Sequence, residues 1–288
     1  MPSSANAQAR GLLTFGWPIV IGSLANYVMH QGDAVIMRYF HGDASLAFYQ
    51  LAYAFPYYLM EGTDVLLAAL LPTFSRLRDS RERLVSAFLQ SNRYITIAIV
   101  PCGILLASLA GPLVTLVFGA KWTPAIGPMT VLAIGFTIQV MWGYGWGALV
   151  LASGKSRYLM YVKLWIVAYL LTAGVLLIRA FGPMGGAYYT LTQSILTVGV
   201  VRGWILQHEL GSRSFIQDSW KPVVAGGIPG LLIWFFIAPH VTNLFGLFAT
   251  VILFFASYVG LMLAFDRELV PEVNEMVRLV LSPPPAVE

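Results

Sequence analysis

Residues 94–120 read YITIAIVPCGILLASLAGPLVTLVFGA, and no charged side chain lies between Arg93 and Lys121. This stretch is longer than the roughly 20 apolar residues that an α-helix needs to cross a bilayer. Other long stretches without charge lie between Arg10 and Asp33, Lys121 and Lys155, Arg179 and Arg202, and Lys221 and Asp266. The chain is therefore predicted to cross a membrane several times.

The composition of the whole chain points the same way. Of its 288 residues, 58% are hydrophobic and 10% are charged, and the mean hydropathy is +0.75. Soluble domains average roughly 45–50% apolar and about 25% charged residues, so a soluble fold could not bury this much apolar surface. The lone Cys102 excludes a disulfide or a cysteine-based metal site within one chain. The net charge of +4 is spread over short loops, so no nucleic-acid partner is predicted.

Hydropathy and turn residues together predict an all-α, polytopic membrane helix bundle of about eight transmembrane helices. The short connectors carry turn chemistry, for example at His41-Gly42-Asp43 and Gly182-Pro183. The predicted spans are 11–40, 45–74, 84–118, 125–152, 158–180, 184–206, 222–238 and 241–265.

The distribution of cations predicts the topology. Eight spans place both termini on one side of the membrane, and all but three of the 17 Lys and Arg residues fall on that side. The three exceptions are Arg38, Lys121 and Arg179. Because cytoplasmic loops are enriched in Lys and Arg, both termini are predicted to lie in the cytoplasm.

Several short patterns occur in a fixed order along the chain. They are Phe15-Gly16-Trp17-Pro18, Asp33-Ala34-Val35-Ile36, Tyr49-Gln50-Leu51-Ala52, Leu71-Pro72-Thr73-Phe74-Ser75-Arg76, Phe118-Gly119-Ala120-Lys121-Trp122, Ser153-Gly154-Lys155 and Gly182-Pro183-Met184-Gly185-Gly186-Ala187. In this order they resemble the C-terminal half of the polysaccharide flippases that export O-antigen and exopolysaccharide precursors. Those flippases belong to the multidrug/oligosaccharidyl-lipid/polysaccharide exporter superfamily.

The resemblance implies a domain organisation. Family members are about twice as long, with two six-helix lobes, and some add two helices at the end. It implies a cytoplasmic tail over 1–10, a six-helix lobe over 11–208, two accessory helices over 209–266 and a cytoplasmic tail over 267–288. The counterpart of the first lobe is missing, so a half-transporter is expected, with a separate N-terminal lobe or a second copy as its partner.

The resemblance also implies a function. The expected substrate is a polyprenyl-pyrophosphate-linked oligosaccharide, which would be flipped across the bacterial cytoplasmic (inner) membrane. Membrane lipids are also expected partners. No cofactor is expected, although some members of the superfamily couple transport to Na⁺ or H⁺. The sequence also lacks motifs such as G-x-x-x-x-G-K-[ST] or H-E-x-x-H, so an enzyme is not predicted.

Two acidic groups deep in predicted spans are candidates for ion coupling, because buried charge in a membrane is costly. Glu61 and Asp64 share a face of the second span by their i, i+3 spacing. They are interpreted either as a proton or cation relay or as partners of Arg93 or Lys163 near the inner surface. Asn26, His30 and Asp33 similarly share a face of the first span. One interpretation is that they coordinate a cation. The alternative is that Asp33 is simply placed near the outer interface.

Four residues are candidates for substrate binding. Lys163 and Arg202 lie near the inner ends of their spans and suit the pyrophosphate headgroup. Gln139 and Trp142 lie in the fourth span, near Tyr144, Trp146 and a run of spaced glycines. Their aromatic neighbours suit sugar stacking, but glycines at this spacing also permit close helix packing. The arginine-rich loop after the second span is interpreted either as a contact for the carrier-lipid pyrophosphate in the inner leaflet or as a result of positive-inside topology alone.

Two other functions stay open. A multidrug antiporter of the same superfamily would want an acidic cavity for cationic drugs, whereas a flippase would want basic residues for pyrophosphate. A non-transporting scaffold for polysaccharide assembly would tolerate every change in the cavity.

Overall fold

The computed structural model describes residues 3–77, 80–141, 145–152, 157–203 and 220–266. Within these ranges it describes the backbone alone for 3–26, 64–73, 75, 148, 151–152 and 200–202. These ranges are almost entirely helical and contain no strand, which confirms the predicted all-α bundle. Five helices within them are long and apolar enough to cross a membrane, namely Arg81–Val117, Ala120–Met141, Arg157–Phe181, Trp220–His240 and Leu244–Phe265. This is a multi-pass membrane protein, and the total of eight spans stays a prediction.

Helix α1 (Ser3–Arg76) is a hairpin of two helical arms, 3–41 and 43–76, which correspond to the first two predicted spans. Gly42 divides them with φ of 76°, in the left-handed region where glycine is favoured. The Tyr49 hydroxyl reaches Asp33 across the hairpin, so the arms run side by side in opposite directions.

The lobe is built around α3. Helix α2 (Arg81–Val117) continues through Pro101 and Pro112. A 3₁₀ turn (Ala120–Ala125) leads into α3 (Ile126–Met141), and α4 (Trp146–Ala152) follows. Helix α3 packs against α1, α2 and the later helix α7 (Pro183–Ser194). The main apolar core lies where these four meet, around Met129, Leu132 and Phe136.

Two helices close the lobe and contain π-helical turns. Helix α5 (Arg157–Tyr169) passes through a π-helical turn (Leu170–Gly174) into α6 (Val175–Phe181). Helix α7 likewise continues as a π-helical segment (Ile195–Arg202). Such insertions are often found at functional sites in helices.

The accessory pair follows the lobe. Helix α8 (Trp220–Leu232) continues through a π-helical turn (Ile233–Ile237) and a 3₁₀ turn (Ala238–His240), and α9 (Leu244–Phe265) returns across the bundle. The pair packs against α2 through an apolar cluster that includes Leu105, Ile233 and Phe254.

One ion cluster joins the accessory pair to the lobe. Asp266, buried at the end of α9, accepts from Arg93 of α2 at 2.9 Å and lies 3.3 Å from Lys221 of α8. A carboxylate between two cations attracts both, which offsets the cost of burying it. The cluster therefore fixes one end of the pair to α2.

Candidate functional site

Asp33 lines two neighbouring cavities. The larger, of about 340 Å³, opens between the arms of α1, and the smaller, of about 170 Å³, reaches toward α3, α5 and α7. His30, Asp33 and Tyr53 line both cavities. The hairpin thus carries a polar cleft that continues into the interior of the lobe.

Asp33 is held at the centre of this cleft. Only 7% of its surface is exposed. The Tyr49 hydroxyl donates to one carboxylate oxygen at 2.5 Å, and the backbone N–H of Ala34 donates to the other at 2.8 Å. These two bonds satisfy a carboxylate that would otherwise be costly to bury. Asp33 therefore has hydrogen-bond partners within the chain.

The position of Tyr49 depends on a glycine far away in sequence. A Cβ atom at Gly186 of α7 would lie 2.6 Å from the Tyr49 ring and 3.2 Å from the Met37 side chain. Because glycine has no Cβ, α7 can approach the hairpin closely enough to bury the ring. The glycine pair near the start of α7 thus sets the geometry of Asp33.

Tyrosines form a row along the second arm of α1. Tyr49, Tyr53 and Tyr57 are spaced by four residues, and the last two stack at 5.4 Å with their planes 25° apart. Phe136 of α3 contacts the same two rings edge-on, at 5.1 and 6.3 Å. All three tyrosines and the adjacent Tyr58 line the larger cavity.

Neutral polar groups continue from the smaller cavity into α7. Gln139 of α3 donates to the side chain of Gln193 at 2.9 Å, and Gln193 donates to Thr197 at 3.0 Å. Tyr189 lines the same cavity and stacks on Tyr169 at 5.9 Å. This side of the site is an ordered chain of amide and hydroxyl groups.

The charge of the site is acidic. Among the described residues lining the two cavities, Asp33 and Glu61 are the acids, His30 is the titratable base, and none is Lys or Arg. A basic cavity was expected for a pyrophosphate-bearing substrate. The described wall does not supply it, because Lys163 is exposed on α5 and lines neither cavity.

An apolar groove of about 400 Å³ lies beside the polar cleft. It runs between the second arm of α1, α2 and α9, and its walls include Leu59, Leu105 and Val251. Tyr58 lines both this groove and the larger cavity. Polar and apolar surfaces therefore meet at one side chain.

The other predicted site residues fall into two groups. His30, Glu61 and Gln139 line the cavities. The side chains of Asn26, Asp64 and Arg202, and the whole of Trp142 and Tyr144, lie outside the described residues. Trp146 lines neither cavity and is buried with Phe74 and Leu149 in an apolar cluster, which agrees with the packing interpretation. The ion-coupling and substrate-binding roles stay predictions.

Sequence reasoning missed three features of the site. The tyrosine row could have been found from the four-residue spacing of Tyr49, Tyr53 and Tyr57, which is one face of a helix. No local sequence pattern marks Gln193, because its contact with Gln139 depends on how α7 packs against α3. Asp266 was treated as the end of a span, and its ion pair with Arg93 was not predicted.

Comparisons with known proteins agree with the resemblance in the sequence. The model of a family described as "Polysaccharide biosynthesis protein" matches residues 2–127. The "Teichuronic acid biosynthesis protein TuaB" of Bacillus subtilis (strain 168) is 24% identical over 232 residues, covering 77% of this chain and 46% of that protein. The chain thus spans about half the length of this curated relative. No solved structure matches it. The resemblance to membrane proteins of polysaccharide biosynthesis is confirmed.

Proposed function

We propose that this chain is one lobe of a flippase that moves lipid-linked oligosaccharides to the outer leaflet of the bacterial cytoplasmic membrane. The exported oligosaccharide would be used to build cell-surface polysaccharide such as lipopolysaccharide. The lobe makes and breaks no covalent bond, and both termini lie in the cytoplasm. Similarity to polysaccharide biosynthesis proteins supports the substrate class.

The observation that carries the proposal is the junction at Tyr58. This residue lines both the polar cleft and the apolar groove. An amphipathic molecule would place its polar head in the first and its hydrocarbon chain in the second. A lipid-linked oligosaccharide has both parts, whereas a free sugar lacks the second.

The polar face of α1 supports a half-transporter. His30, Gln31, Gln50, Tyr58 and Glu61 are exposed at the open side of the hairpin. Polar groups are disfavoured against lipid, so a second lobe or a second copy is proposed to cover this face. Alternating access would then rock the two lobes around the cleft.

Ion coupling is proposed at Asp33. It is a buried carboxylate that lines both cavities, and buried ionisable groups in membrane segments are functional candidates by default. Na⁺ or H⁺ binding there would compete with the Tyr49 hydrogen bond. Movement of Tyr49 would then alter the wall of the larger cavity.

The test deletes the gene in the organism that encodes it and measures surface polysaccharide and lipid-linked precursor in each leaflet. Precursor is expected to accumulate in the inner leaflet, and the full chain supplied in trans is expected to restore export. Normal export without the chain would refute the proposal. A scaffold would restore export even with Asp33→Ala, which a transport lobe would not.

A second candidate is an organic-cation antiporter of the same superfamily. The acidic, tyrosine-lined cleft favours it, since aromatic faces and carboxylates attract organic cations. It predicts that deletion increases sensitivity to cationic dyes while surface polysaccharide stays unchanged. The flippase predicts the reverse pattern.

A further inference from the structure

We infer that the second arm of α1 is a sugar-binding wall that contacts the glycan part of the substrate and leaves the phosphate to other surfaces. The inference rests on the proposed function and assigns its substrate contacts. It concerns Tyr53, Tyr57, Tyr58, Gln50 and Glu61, all of which line the larger cavity.

The first step is the aromatic surface. Tyr53 and Tyr57 are stacked on each other and braced edge-on by Phe136, so the two rings form a rigid platform. Tyr58, 64% exposed, stands next to it at the mouth of the cavity. The C–H faces of sugar rings pack on aromatic rings through apolar contact and weak C–H hydrogen bonds. Because the rings are already fixed, little side-chain conformational entropy is lost when a sugar binds.

The second step is the polar lining. The amides of Gln31 and Gln50, the imidazole of His30 and the carboxylate of Glu61 surround the tyrosines. Together they offer both donors and acceptors. Sugar hydroxyls also donate and accept, so they can satisfy both kinds of group. The cavity volume of about 340 Å³ lies within the range of about 300–1,000 Å³ for small-molecule sites.

The third step excludes phosphate from this wall. Phosphate oxygens accept and do not donate when ionised, and proteins bind them with Arg, Lys or backbone N–H groups. The described lining has neither Lys nor Arg and carries two carboxylates. Like charges near a phosphate are repulsive. The headgroup cations must therefore come from another surface.

The fourth step separates sugar from an organic cation. Both oxygens of Asp33 already accept hydrogen bonds, from Tyr49 and from Ala34. Glu61 is the other acid among the described lining residues, beside neutral groups that include Gln31, Gln50 and the tyrosines. An organic cation would engage the carboxylates and leave these amides and hydroxyls without partners, whereas sugar hydroxyls donate and accept and can satisfy them.

The test compares variants of Tyr58, whose exposure makes its substitution compatible with folding. Tyr58→Ala removes the ring, Tyr58→Phe keeps it, and Tyr161→Ala is the matched control. Tyr161 is also exposed, at 53%, but lies on α5 and lines neither cavity. Each full-length chain is purified in detergent after its elution profile is shown to match the wild type.

Saturation-transfer NMR then measures three probes, each with every variant. They are the oligosaccharide repeat released from the host polysaccharide, inorganic pyrophosphate and tetraphenylphosphonium. Wild type, Tyr58→Phe and Tyr161→Ala are expected to bind the oligosaccharide alike, and Tyr58→Ala about fivefold to tenfold more weakly. Pyrophosphate is expected not to bind. Equal oligosaccharide binding by Tyr58→Ala and wild type, or no binding by any of them, would overturn the inference, as would binding of tetraphenylphosphonium alone.

Export measured in the deletion strain separates the two proposals. If the wild-type chain restores export and Tyr58→Ala restores it equally, the sugar wall is wrong and the flippase stands. If deletion leaves export intact, the flippase itself is wrong. The expected result is restoration by Tyr58→Phe and Tyr161→Ala, with a marked loss for Tyr58→Ala.

Discussion

The lobe and the accessory pair bury different kinds of side chain. The lobe buries a carboxylate, Asp33, and a line of amides and hydroxyls that includes Gln193 and Thr197. The pair buries apolar residues along α8 and α9, with Thr250 as a polar exception and Asp266 at its end. Polar groups are costly to bury without partners, so the lobe is shaped around a site. The pair, in contrast, is attached to the lobe by apolar packing and one ion cluster.

The largest expected effect comes from breaking that attachment with Asp266→Asn. This change removes the negative charge between Arg93 and Lys221, and loss of one member of a buried ion pair costs about 3 kcal/mol. We expect the free energy of unfolding, measured by SDS titration of the purified chain, to fall by about that amount.

Asp43→Asn is the matched control for this loss. It breaks an ion pair with Arg38 in which both side chains are mostly exposed, and such pairs contribute at most about 1 kcal/mol. If the two variants lose equal stability, the ion cluster does not fasten the accessory pair.

The next effect tests the packing that shapes the lobe. Gly186→Val would place side-chain atoms into Tyr49 and Met37, and overpacking of this kind costs about 1–3 kcal/mol. We also expect export to be lost, because Tyr49 can no longer reach Asp33. The control is Gly260→Val in α9, where an added Cβ meets no atom within 4 Å. Normal export by Gly186→Val would show that the Asp33–Tyr49 bond is dispensable.

Hydropathy predicted the helices of both regions well. The span predicted over 84–118 is Arg81–Val117, and the one over 241–265 is Leu244–Phe265. Apolar length is a local property of the chain, so a single sequence contains it. The π-helical turns were not predicted, because neighbouring helices decide how freed backbone groups are satisfied.

The candidate site was predicted only in part, for a related reason. His30, Asp33, Glu61 and Gln139 stood out because polar groups within apolar spans are conspicuous, and all four line the cavities. Their partners could not be predicted, since the Tyr49 contact depends on Gly186 and the Gln139 contact on Gln193. Both depend on how α7 packs against distant parts of the chain.

A third prediction concerns the hydrogen bond at the centre of the site. Tyr49→Phe keeps the buried ring but leaves one oxygen of Asp33 without its donor. An unsatisfied buried acceptor costs about 1–2 kcal/mol, which SDS titration would measure. The double variant Tyr49→Phe, Asp33→Leu removes both partners and is expected to recover part of that stability while export stays absent. A double variant no more stable than Tyr49→Phe would argue against this coupling.

The smallest effect compares one substitution in both regions. Thr197 of the lobe and Thr250 of the pair are both buried, and valine has nearly the same shape as threonine. The Thr197 hydroxyl accepts from Gln193, whose own oxygen accepts from Gln139. The Thr250 hydroxyl donates to the carbonyl of Gly246, one turn earlier in its own helix.

Thr197→Val therefore leaves the buried amide N–H of Gln193 without this acceptor, whereas Thr250→Val leaves no donor unpaired. We expect the first to lower the free energy of unfolding by about 1 kcal/mol and the second by less than about 0.5 kcal/mol. Equal losses in SDS titration would mean that the hydrogen bond between Gln193 and Thr197 stabilises the lobe no more than the Thr250 hydroxyl stabilises the accessory pair.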